Sequence, residues 1–337
     1  MTNRIDLTAQ PTATEGSGGP RETGQTQATS VGDGVLGWEH AAGHNGRMST
    51  IQFIGVSTGG SLIHTAFPRW ARVLGLEASV VGVDVPRGSG AERLRAALAA
   101  MRADEDCLGA VVTSWKSVLY RSAANAFDEL DPVAVDCGEV NAVRHANGRL
   151  LGFARDPISV GRVVDGIWPD RDADLLCIGS GGTAVALAKH LLARGQRGRL
   201  RFLDRDPAQT AHFREIVPSV EAVAAEGPYD ALVAEARLGT LIVNATGAGK
   251  DREGSPVTDG VEFPRECVFW DLNYRGELRM LDAARAQADA RGLGVHDGKS
   301  LFCHGWAAAL TAVLDLAEDP GLAAAFAAEL DELKAQG

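Results

Sequence analysis

Short apolar runs alternate with amphipathic segments through the first part of the chain. The run at 51–56 (IQFIGV) is typical of a buried strand, and residues 61–76 place apolar side chains at helical spacing. Further elements follow in turn, with strands at 79–85, 109–115, near 133–143 and at 149–154, and helices at 91–103 and 117–129. This alternation predicts βαβ units and a mostly parallel sheet.

A second alternating series begins near residue 174. Its first strand, DLLCI, leads through a glycine-rich turn into an amphipathic helix at 183–195, which ends at Gly195, a residue favoured just after a helix C-terminus. The later segments are strands at 199–204, 220–224, 240–246, 267–274 and 292–298, and helices near 207–216, 228–237 and 277–291. The pattern again predicts a parallel sheet covered by helices.

These two series predict an α/β fold of two α/β domains, 48–160 and 161–298. Two closing helices, from Leu301 to about Leu316 and from about Gly321 to the end, make up a last segment at 299–337. We expect the closing helices to pack back across the cleft between the domains, because their apolar faces need a partner.

Residues 1–47 differ from the rest of the chain. They are rich in Thr, Gly, Ser, Gln and Pro and offer almost no apolar side chains to bury. Such a segment cannot offset its own ordering entropy, so we predict a disordered tail. Met48 stands just before the first strand, which leaves two alternatives: an artefact of start-codon choice or a regulatory extension.

Composition excludes several classes of function. Lys and Arg number 33 against 44 Asp and Glu, which gives a formal charge of −11 and a pI near 5.2. This argues against nucleic acid as a partner, since phosphate binding needs clustered cations. No apolar run predicts a membrane span or a secretory signal. The five cysteines are scattered and never spaced CxxC, so we expect no metal site and a cytoplasmic location.

The strongest local motif is a glycine-rich turn, Gly179-Ser180-Gly181-Gly182-Thr183-Ala184, between the strand DLLCI and the next helix. Glycines let backbone amides approach a pyrophosphate, and a helix N-terminus offers unpaired N–H groups. Asp204 ends the next strand 22 positions after Gly182, a spacing that suits a carboxylate bound to an adenosine ribose. The motif predicts a dinucleotide site, and a glycine-rich connection without a ligand is the alternative.

Asp204 also bears on which dinucleotide binds. A carboxylate at this position repels a 2′-phosphate, which favours NAD over NADP. Arg205 beside it is the competing contact, because a guanidinium can stack on adenine or pair with that phosphate, and Asp206 is a second acid in the loop. We therefore expect NAD to be preferred over NADP.

Two further residues follow strand-like runs in the first domain. Lys116 comes directly after GAVVTSW, and Asp156 comes after GRLLGFAR. Parallel sheets present such positions to a ligand crevice, where a lysine and an aspartate can exchange protons with a carbinol during hydride transfer. Most lysines and aspartates in loops are solvated charges, which is the alternative for this pair.

The order of the motifs from about 51 to 315 resembles that of the shikimate dehydrogenase family, which includes the quinate/shikimate dehydrogenases. GAVVTSWK resembles N-V-T-x-P-x-K, and CGEVNAVRHANGRLLGFARD resembles G-A-V-N-T…G-x-L-x-G-x-N-T-D. The other matching segments are the opening IGVSTGGSLIHTAF, the turn LLCIGSGGTAVA, LIVNATGAG for N-A-T-P-x-G, and VFWDLNYRGELRML for V-x-D-x-x-Y-x-P-x-x-T-x-L-L.

This resemblance implies an N-terminal substrate domain, a C-terminal Rossmann-like nucleotide-binding domain and a catalytic pair. Lys116 would transfer the proton, while Asp156 orients the hydroxyl and tunes the lysine. The resemblance also implies two sets of binding residues: Thr113, Asn141 and Tyr274 around the substrate, and Asn244, Ala245 and Thr246 beneath the nicotinamide.

The substrate half of the chain departs from the family pattern. The loop that carries two serines for the substrate carboxylate has Ser57, Thr58 and Ser61 instead, and it is one residue short before the following helix. Val111 replaces the Asn of N-V-T, and the expected Gln near the closing helix falls at His304 or the next residue. We give His304 a substrate role with a structural role as the alternative.

Arg155 is a further departure, since it stands where the family has Thr before the aspartate. Turned inward, its guanidinium would clamp a carboxylate and replace the shortened serine loop. Turned outward to solvent, the guanidinium would have no effect on substrate binding, and the substrate would remain shikimate-like. We favour the inward orientation and expect the same reaction type on an altered substrate.

Two classes of function follow. The first is an NAD(P)-dependent dehydrogenase of a cyclic hydroxy acid such as shikimate, quinate or an amino analogue, with a specialised-pathway ketone as a variant. The second is a non-catalytic dinucleotide-binding homologue. Retention of Lys116 and Asp156 favours the enzyme. We expect the protein to bind a small-molecule substrate and to bind neither nucleic acid nor a membrane. We expect it to be a monomer or a homodimer.

Overall fold

The structure, a computed structural model, describes residues 48–250 and 252–335, and the tail predicted at 1–47 lies outside these residues. Within the described ranges the chain forms two six-stranded sheets flanked by helices. No helix in these ranges is long and apolar enough to cross a membrane. The five cysteines are all free and buried.

The first sheet has the strand order β2-β1-β3-β5-β6-β4. Its strands are β1 (Ser49–Gly55), β2 (Ala78–Asp84), β3 (Cys107–Val112), β4 (Glu129–Leu130), β5 (Ala142–Ala146) and β6 (Arg149–Phe153). The helices of this region are α1 (Ile63–Leu74), α2 (Gly90–Ala103), α3 (Lys116–Ala123), α4 (Pro132–Cys137) and α5 (Asp156–Ile167). The boundary predicted near residue 160 falls within α5.

Strands β2, β1 and β3 are parallel, as the βαβ pattern predicts, whereas β5 is antiparallel to both β3 and β6. The two-residue turn Asn147-Gly148 joins β5 to β6, and both residues have positive φ, at 53° and 71°. Such a turn matches the twist of a two-stranded hairpin, which explains why this part of the sheet reverses direction.

The prediction of a strand near 133–143 is wrong for the first half of that segment, which forms helix α4. Asp131 caps this helix, its Oδ1 accepting the Ala134 N–H at 2.6 Å, and Pro132 occupies the first turn where a missing N–H costs nothing. Gly138 ends the helix in the left-handed conformation at φ 60°. These local capping signals outweigh the apolar, strand-like composition of the segment.

The second sheet is entirely parallel and has the order β12-β11-β10-β7-β8-β9. Its strands are β7 (Leu175–Ile178), β8 (Leu200–Asp204), β9 (Glu221–Ala224), β10 (Leu241–Asn244), β11 (Val268–Asp271) and β12 (Gly294–His296), with helices α6 (Gly182–Ala193), α7 (Pro207–Ile216), α8 (Asp230–Ala234) and α9 (Arg279–Arg291). The strand order reverses between β7 and β10, so the predicted Rossmann-like domain is confirmed.

The closing helix α10 (Lys299–Val313) packs against β3 and β5 of the first sheet, and α11 (Leu322–Ala335) packs on α10 and α1. Trp70 of α1 stacks on Phe326 of α11, with ring centroids 4.4 Å apart, and its Nε1 donates to the Phe326 carbonyl at 2.9 Å. Both rings are completely buried. The chain thus returns to its first domain. The carboxyl ends of β3, β7 and β10 face the cleft between the two sheets.

Candidate active site

Lys116 and Asp156 form a direct ion pair in the cleft. Lys116 is the first residue of α3, just beyond the end of β3, and Asp156 is the first residue of α5, just beyond β6. The Lys116 Nζ donates to Asp156 Oδ2, and the two side chains are 17% and 9% exposed. Burial alone would lower the pKa of Lys116, but the charge of Asp156, the charge of Glu139 in its ionised form and the hydrogen bond to Asp156 raise it overall.

Asn141 holds the carboxylate of this pair in place. Its Nδ2 donates to Asp156 Oδ1, and its Oδ1 accepts the backbone N–H of Arg155 at 2.7 Å. Thr183, from the glycine-rich turn of the other domain, reaches Asp156 Oδ2 at 3.5 Å. Asp156 is therefore held by Asn141 of the first domain and also contacted by Thr183 of the second.

A cavity of about 410 Å³ opens beside the pair. Thr113 and Lys116 line it on one side, and Gly181, Gly182, Thr183, Ala184, Ala245 and Thr246 line it on the other. Three basic residues that sequence reasoning missed also line it: Arg87, Lys250 and Arg252. A cavity of this size, with a few convergent polar groups at strand ends, is typical of a ligand site.

The glycine-rich turn packs tightly on the loop after β10. Gly179 has φ 108°, and a Cβ there would lie 2.7 Å from the Ala245 carbonyl, so only glycine fits. A Cβ added at Gly181, in contrast, would meet nothing within 4 Å. The turn thus leaves its backbone open beside the N-terminus of α6, as a pyrophosphate requires.

Asp204 fixes this turn, a role that sequence reasoning did not predict. Its Oδ2 accepts the backbone N–H and the hydroxyl of Ser180 at 2.9 and 3.1 Å, and its Oδ1 accepts the Asp206 N–H at 3.0 Å. A second cavity of about 370 Å³ adjoins it, lined among others by Gly179, Arg205, Tyr229 and Arg252. The Asp204 carboxylate thus accepts three hydrogen bonds from the protein and still lines both cavities, while Arg205 is exposed at the wall of the second.

Asn244 is buried and supports the loop after β10 from below. Its Nδ2 donates to Asp271 Oδ2 at 2.9 Å, and its Oδ1 accepts the Thr246 hydroxyl at 2.8 Å. Burial raises the pKa of Asp271, with the Asn244 and Asn273 hydrogen bonds acting in the opposite direction. Of the three residues predicted beneath the nicotinamide, Ala245 and Thr246 line the cavity, whereas Asn244 positions them.

Comparison with known proteins identifies the family. No family model matches the chain. A shikimate dehydrogenase (NADP(+)) from Symbiobacterium thermophilum is 33% identical over 247 residues, which covers 68% of this chain and 76% of that protein. The chain belongs to the shikimate dehydrogenase family. It is accordingly an oxidoreductase that acts on CH–OH donors with a nicotinamide cofactor.

Solved structures agree with this assignment. Shikimate 5-dehydrogenase from Thermus thermophilus, in complex with NADP(H) and shikimate, is 27% identical with a TM-score of 0.63 and covers 84% of this chain and 100% of its own. Quinate dehydrogenase from Corynebacterium glutamicum, in complex with NAD, shares the fold at 22% identity and a TM-score of 0.63, over 83% of this chain and 99% of its own. The relatives named for NADP do not support the preference for NAD that Asp204 predicts.

The loop at 57–61, where the resemblance places the substrate serines, is held by hydrogen bonds of its own residues. The backbone N–H and the hydroxyl of Thr58 both donate to Asp84 Oδ1 at 2.7 Å, which lowers the pKa of that carboxyl. Ser61 is buried, and its Oγ accepts the Ile63 N–H at 3.4 Å, whereas Ser57 is exposed. The Thr58 and Ser61 hydroxyls stabilise the loop itself.

The inward orientation predicted for Arg155 is wrong. Its guanidinium pairs with Asp131 at 3.0 Å and lies over the Phe153 ring at 4.9 Å, and Arg155 does not line the cavity beside Lys116. The physical reason is Asp131, which caps α4 and offers a half-buried carboxylate within reach. Only the backbone of Arg155 takes part in the site, through its N–H to Asn141.

Arg275 is the arginine that reaches the substrate loop, and sequence reasoning missed it. It follows Tyr274 after β11, and its Nη1 donates to the Gly60 carbonyl at 3.0 Å, 215 positions away. Its Nε is buried and has no hydrogen-bond partner among the described residues. The guanidinium thus joins the loop at 57–61 to the loop of Tyr274, whose ring lies against Phe302 at 4.7 Å.

The sequence predicts a substrate contact for His304, but His304 does not line the central cavity. It lies in a separate groove of about 310 Å³ between α10 and α11, lined among others by Cys303, Pro320 and Ala327. Burial lowers the pKa of His304, and the charge of Arg162 adds to this effect. Helix α10 turns Leu301 toward the cavity instead, so the structural role of His304 is the one the fold favours.

Proposed function

We propose that the protein transfers a hydride reversibly between a nicotinamide dinucleotide and a ring carbinol of a cyclic hydroxy acid such as shikimate, quinate or an analogue. The observation that carries this proposal is the contact between Asp156 and Lys116, which lines the same cavity as the glycine-rich turn. Family membership, the open backbone at Gly181 and the cavity volume support it.

The nicotinamide, when bound, supplies the acceptor or donor of the hydride. Lys116, whose raised pKa keeps it protonated, donates a proton to the carbonyl oxygen as the carbinol forms and takes it back in the reverse direction. Asp156 accepts a hydrogen bond from the hydroxyl and stabilises the lysine cation, and Asn141 prevents the carboxylate from turning away.

We assign the substrate carboxylate to Arg275. A guanidinium binds a carboxylate through two parallel N–H bonds. Arg275 already touches the loop at 57–61, in which the serine pattern of the family is shifted and shortened. It thereby takes the part that the sequence predicted for Arg155.

We assign the 2′-phosphate of NADP to Arg205. This residue is exposed at the wall of the 370 Å³ cavity, next to an Asp204 whose carboxylate is committed to Ser180. A guanidinium pairs bidentately with a phosphate, and the hydrogen bonds from Ser180 hold the Asp204 carboxylate toward the glycine-rich turn. The names of the relatives support NADP as well.

Replacing Arg205 with alanine is expected to lower kcat/KM for NADP at least about tenfold, since a charge-assisted contact contributes about 1.5–3 kcal/mol. The value for NAD, which has no 2′-phosphate, should stay within about twofold. Arg237→Ala is the matched control, because Arg237 is 83% exposed and pairs with Asp174 at 3.6 Å. A wild-type kcat/KM that is tenfold higher for NAD than for NADP would contradict this assignment and indicate that Asp204 determines the cofactor preference.

The proposed reaction itself is tested by steady-state kinetics. Shikimate, quinate and aminoshikimate are each mixed with NAD and with NADP, and the absorbance of the reduced nicotinamide is followed. We expect turnover of at least one acid, with NADP favoured. Dinucleotide binding without turnover of any of the three acids, or of their ketones in the reverse direction, would instead indicate the non-catalytic homologue or a specialised-pathway ketone.

A further inference from the structure

Glu139 is a carboxyl group that the proposed chemistry does not use. It lies between α4 and β5, is completely buried, and neither of its oxygens has a hydrogen-bond partner within residues 48–250 and 252–335. The motif G-A-V-N-T that this segment resembles has alanine at the same position. Burying an ionised carboxylate that has no hydrogen-bond partners costs free energy, so burial favours the protonated form of Glu139.

The carboxyl lies directly against the nucleotide turn. A Cβ added at Gly182, the first residue of α6, would overlap Glu139 Oε2, and the same Cβ would lie 3.6 Å from the Ser117 hydroxyl. Gly182 also lines the central cavity. One glycine at the helix N-terminus thus has the carboxyl on one side and the space for the dinucleotide on the other.

The charged groups around Glu139 come from three other elements. Lys116 of α3 and Asp156 of α5 both act on it electrostatically, while Lys189 of α6 pairs with the exposed Asp136 of α4 at 2.7 Å. Burial raises the pKa of Cys137, the titratable neighbour on its own segment, to about 12. Lys116 is already paired with Asp156, so Glu139 has no counter-ion of its own.

We propose that Glu139 must be protonated for the dinucleotide to bind tightly, so that the protein binds a proton together with its cofactor. This proposal rests on the proposed function only in placing the cofactor phosphates at the glycine-rich turn. An ionised Glu139 and the phosphates would both lie at the single N-terminus of α6, and two like charges at such a distance in a buried site repel each other.

The ionisation of Glu139 falls in an accessible pH range. Burial, and then the charge of Asp156, raise the pKa of Glu139 to about 8, although the charge of Lys116 acts in the opposite direction. The neutral form therefore predominates at pH 7 and the anion above pH 8. Bound phosphates favour the neutral form further, so affinity is constant below the pKa of the free protein and is lost as the pH rises above it.

The dissociation constant of NADP, measured calorimetrically on the full chain, tests this proposal. Between about pH 7.5 and about pH 9.5 we expect the wild-type value to rise at least about tenfold. The same measurement in two buffers of different ionisation enthalpy should show proton uptake near pH 8. A wild-type dissociation constant that is flat with pH, or binding without proton uptake, overturns the proposal without any variant being needed.

Two variants identify the group that binds the proton. Glu139→Gln should bind NADP with a nearly pH-independent constant and without proton uptake, whereas Asp136→Asn, which changes an exposed carboxylate three residues away, should behave like wild type. Full pH dependence in Glu139→Gln overturns the assignment to Glu139. Failure of wild type to bind any dinucleotide overturns the proposed function as well, whereas a flat profile in an active enzyme overturns this inference alone.

Discussion

Replacing Lys116 with alanine is expected to lower kcat by about 10²–10⁴-fold, the usual contribution of a general acid–base group. The dissociation constant of the dinucleotide should change little, because Lys116 lies on the substrate side of the cavity and pairs with Asp156 rather than with the glycine-rich turn. Rapid-mixing kinetics gives the rate of hydride transfer, and calorimetry gives the binding constant.

Two controls accompany this variant. Lys189→Ala removes a lysine of the neighbouring helix α6 that pairs with Asp136 at the surface, and it should leave kcat within about twofold. Asp156→Asn should lower kcat less than Lys116→Ala, since an amide still orients a hydroxyl. A Lys116→Ala enzyme that stays within about threefold of wild-type kcat would remove Lys116 from the mechanism.

Replacing Arg275 with glutamine is expected to raise KM for the acidic substrate at least about tenfold, since a hydrogen bond between charged partners contributes about 1.5–3 kcal/mol. The KM for the dinucleotide should stay unchanged. A neutral analogue in which the carboxylate is an amide should show little difference between the variant and wild type, because the lost contact is to the negative charge.

Arg155→Gln is the matched control for Arg275. It removes the same charge from a guanidinium that pairs with Asp131 and lies over the Phe153 ring, so KM for the acid should not change. The loss of the Asp131 pair is expected to appear as a small decrease in thermal stability instead. An increase in KM with Arg155→Gln but not with Arg275→Gln would mean that the carboxylate site is where the sequence predicted it.

The elements that sequence reasoning predicted correctly are those encoded by local patterns. The apolar strand at 174–178, the glycine-rich turn and the helix after it form one contiguous motif, and the parallel second sheet follows from its repetition. The positions of Lys116 and Asp156 also follow from the local pattern, since each lies three or four residues after the end of a strand, and their catalytic role stays a prediction. The structure places these two groups in contact across 40 positions.

The features that the sequence could not predict depend on contacts between distant segments. Arg155 and Arg275 are both arginines beside predicted site residues, and only the folded chain shows that one meets Asp131 and the other meets Gly60. The spacing of Asp204 fits a ribose contact, which stays a prediction, whereas its hydrogen bonds to Ser180 join segments 24 positions apart and could not be predicted from the sequence. Glu139 carried no signal apart from replacing an alanine of the motif, because its burial against Gly182 is a tertiary contact.

Hydride transfer at the Lys116–Asp156 pair is the central claim, and an isotope experiment tests it most directly. The acid that gives turnover in the screen is labelled with deuterium at the carbinol carbon and incubated with the oxidised dinucleotide and the wild-type enzyme. Nuclear magnetic resonance of the reduced dinucleotide should then show deuterium at the nicotinamide ring, with no transfer by Lys116→Ala on the same time scale. Turnover that leaves the label in solvent water, or equal label transfer by the Lys116→Ala enzyme, would contradict the claim.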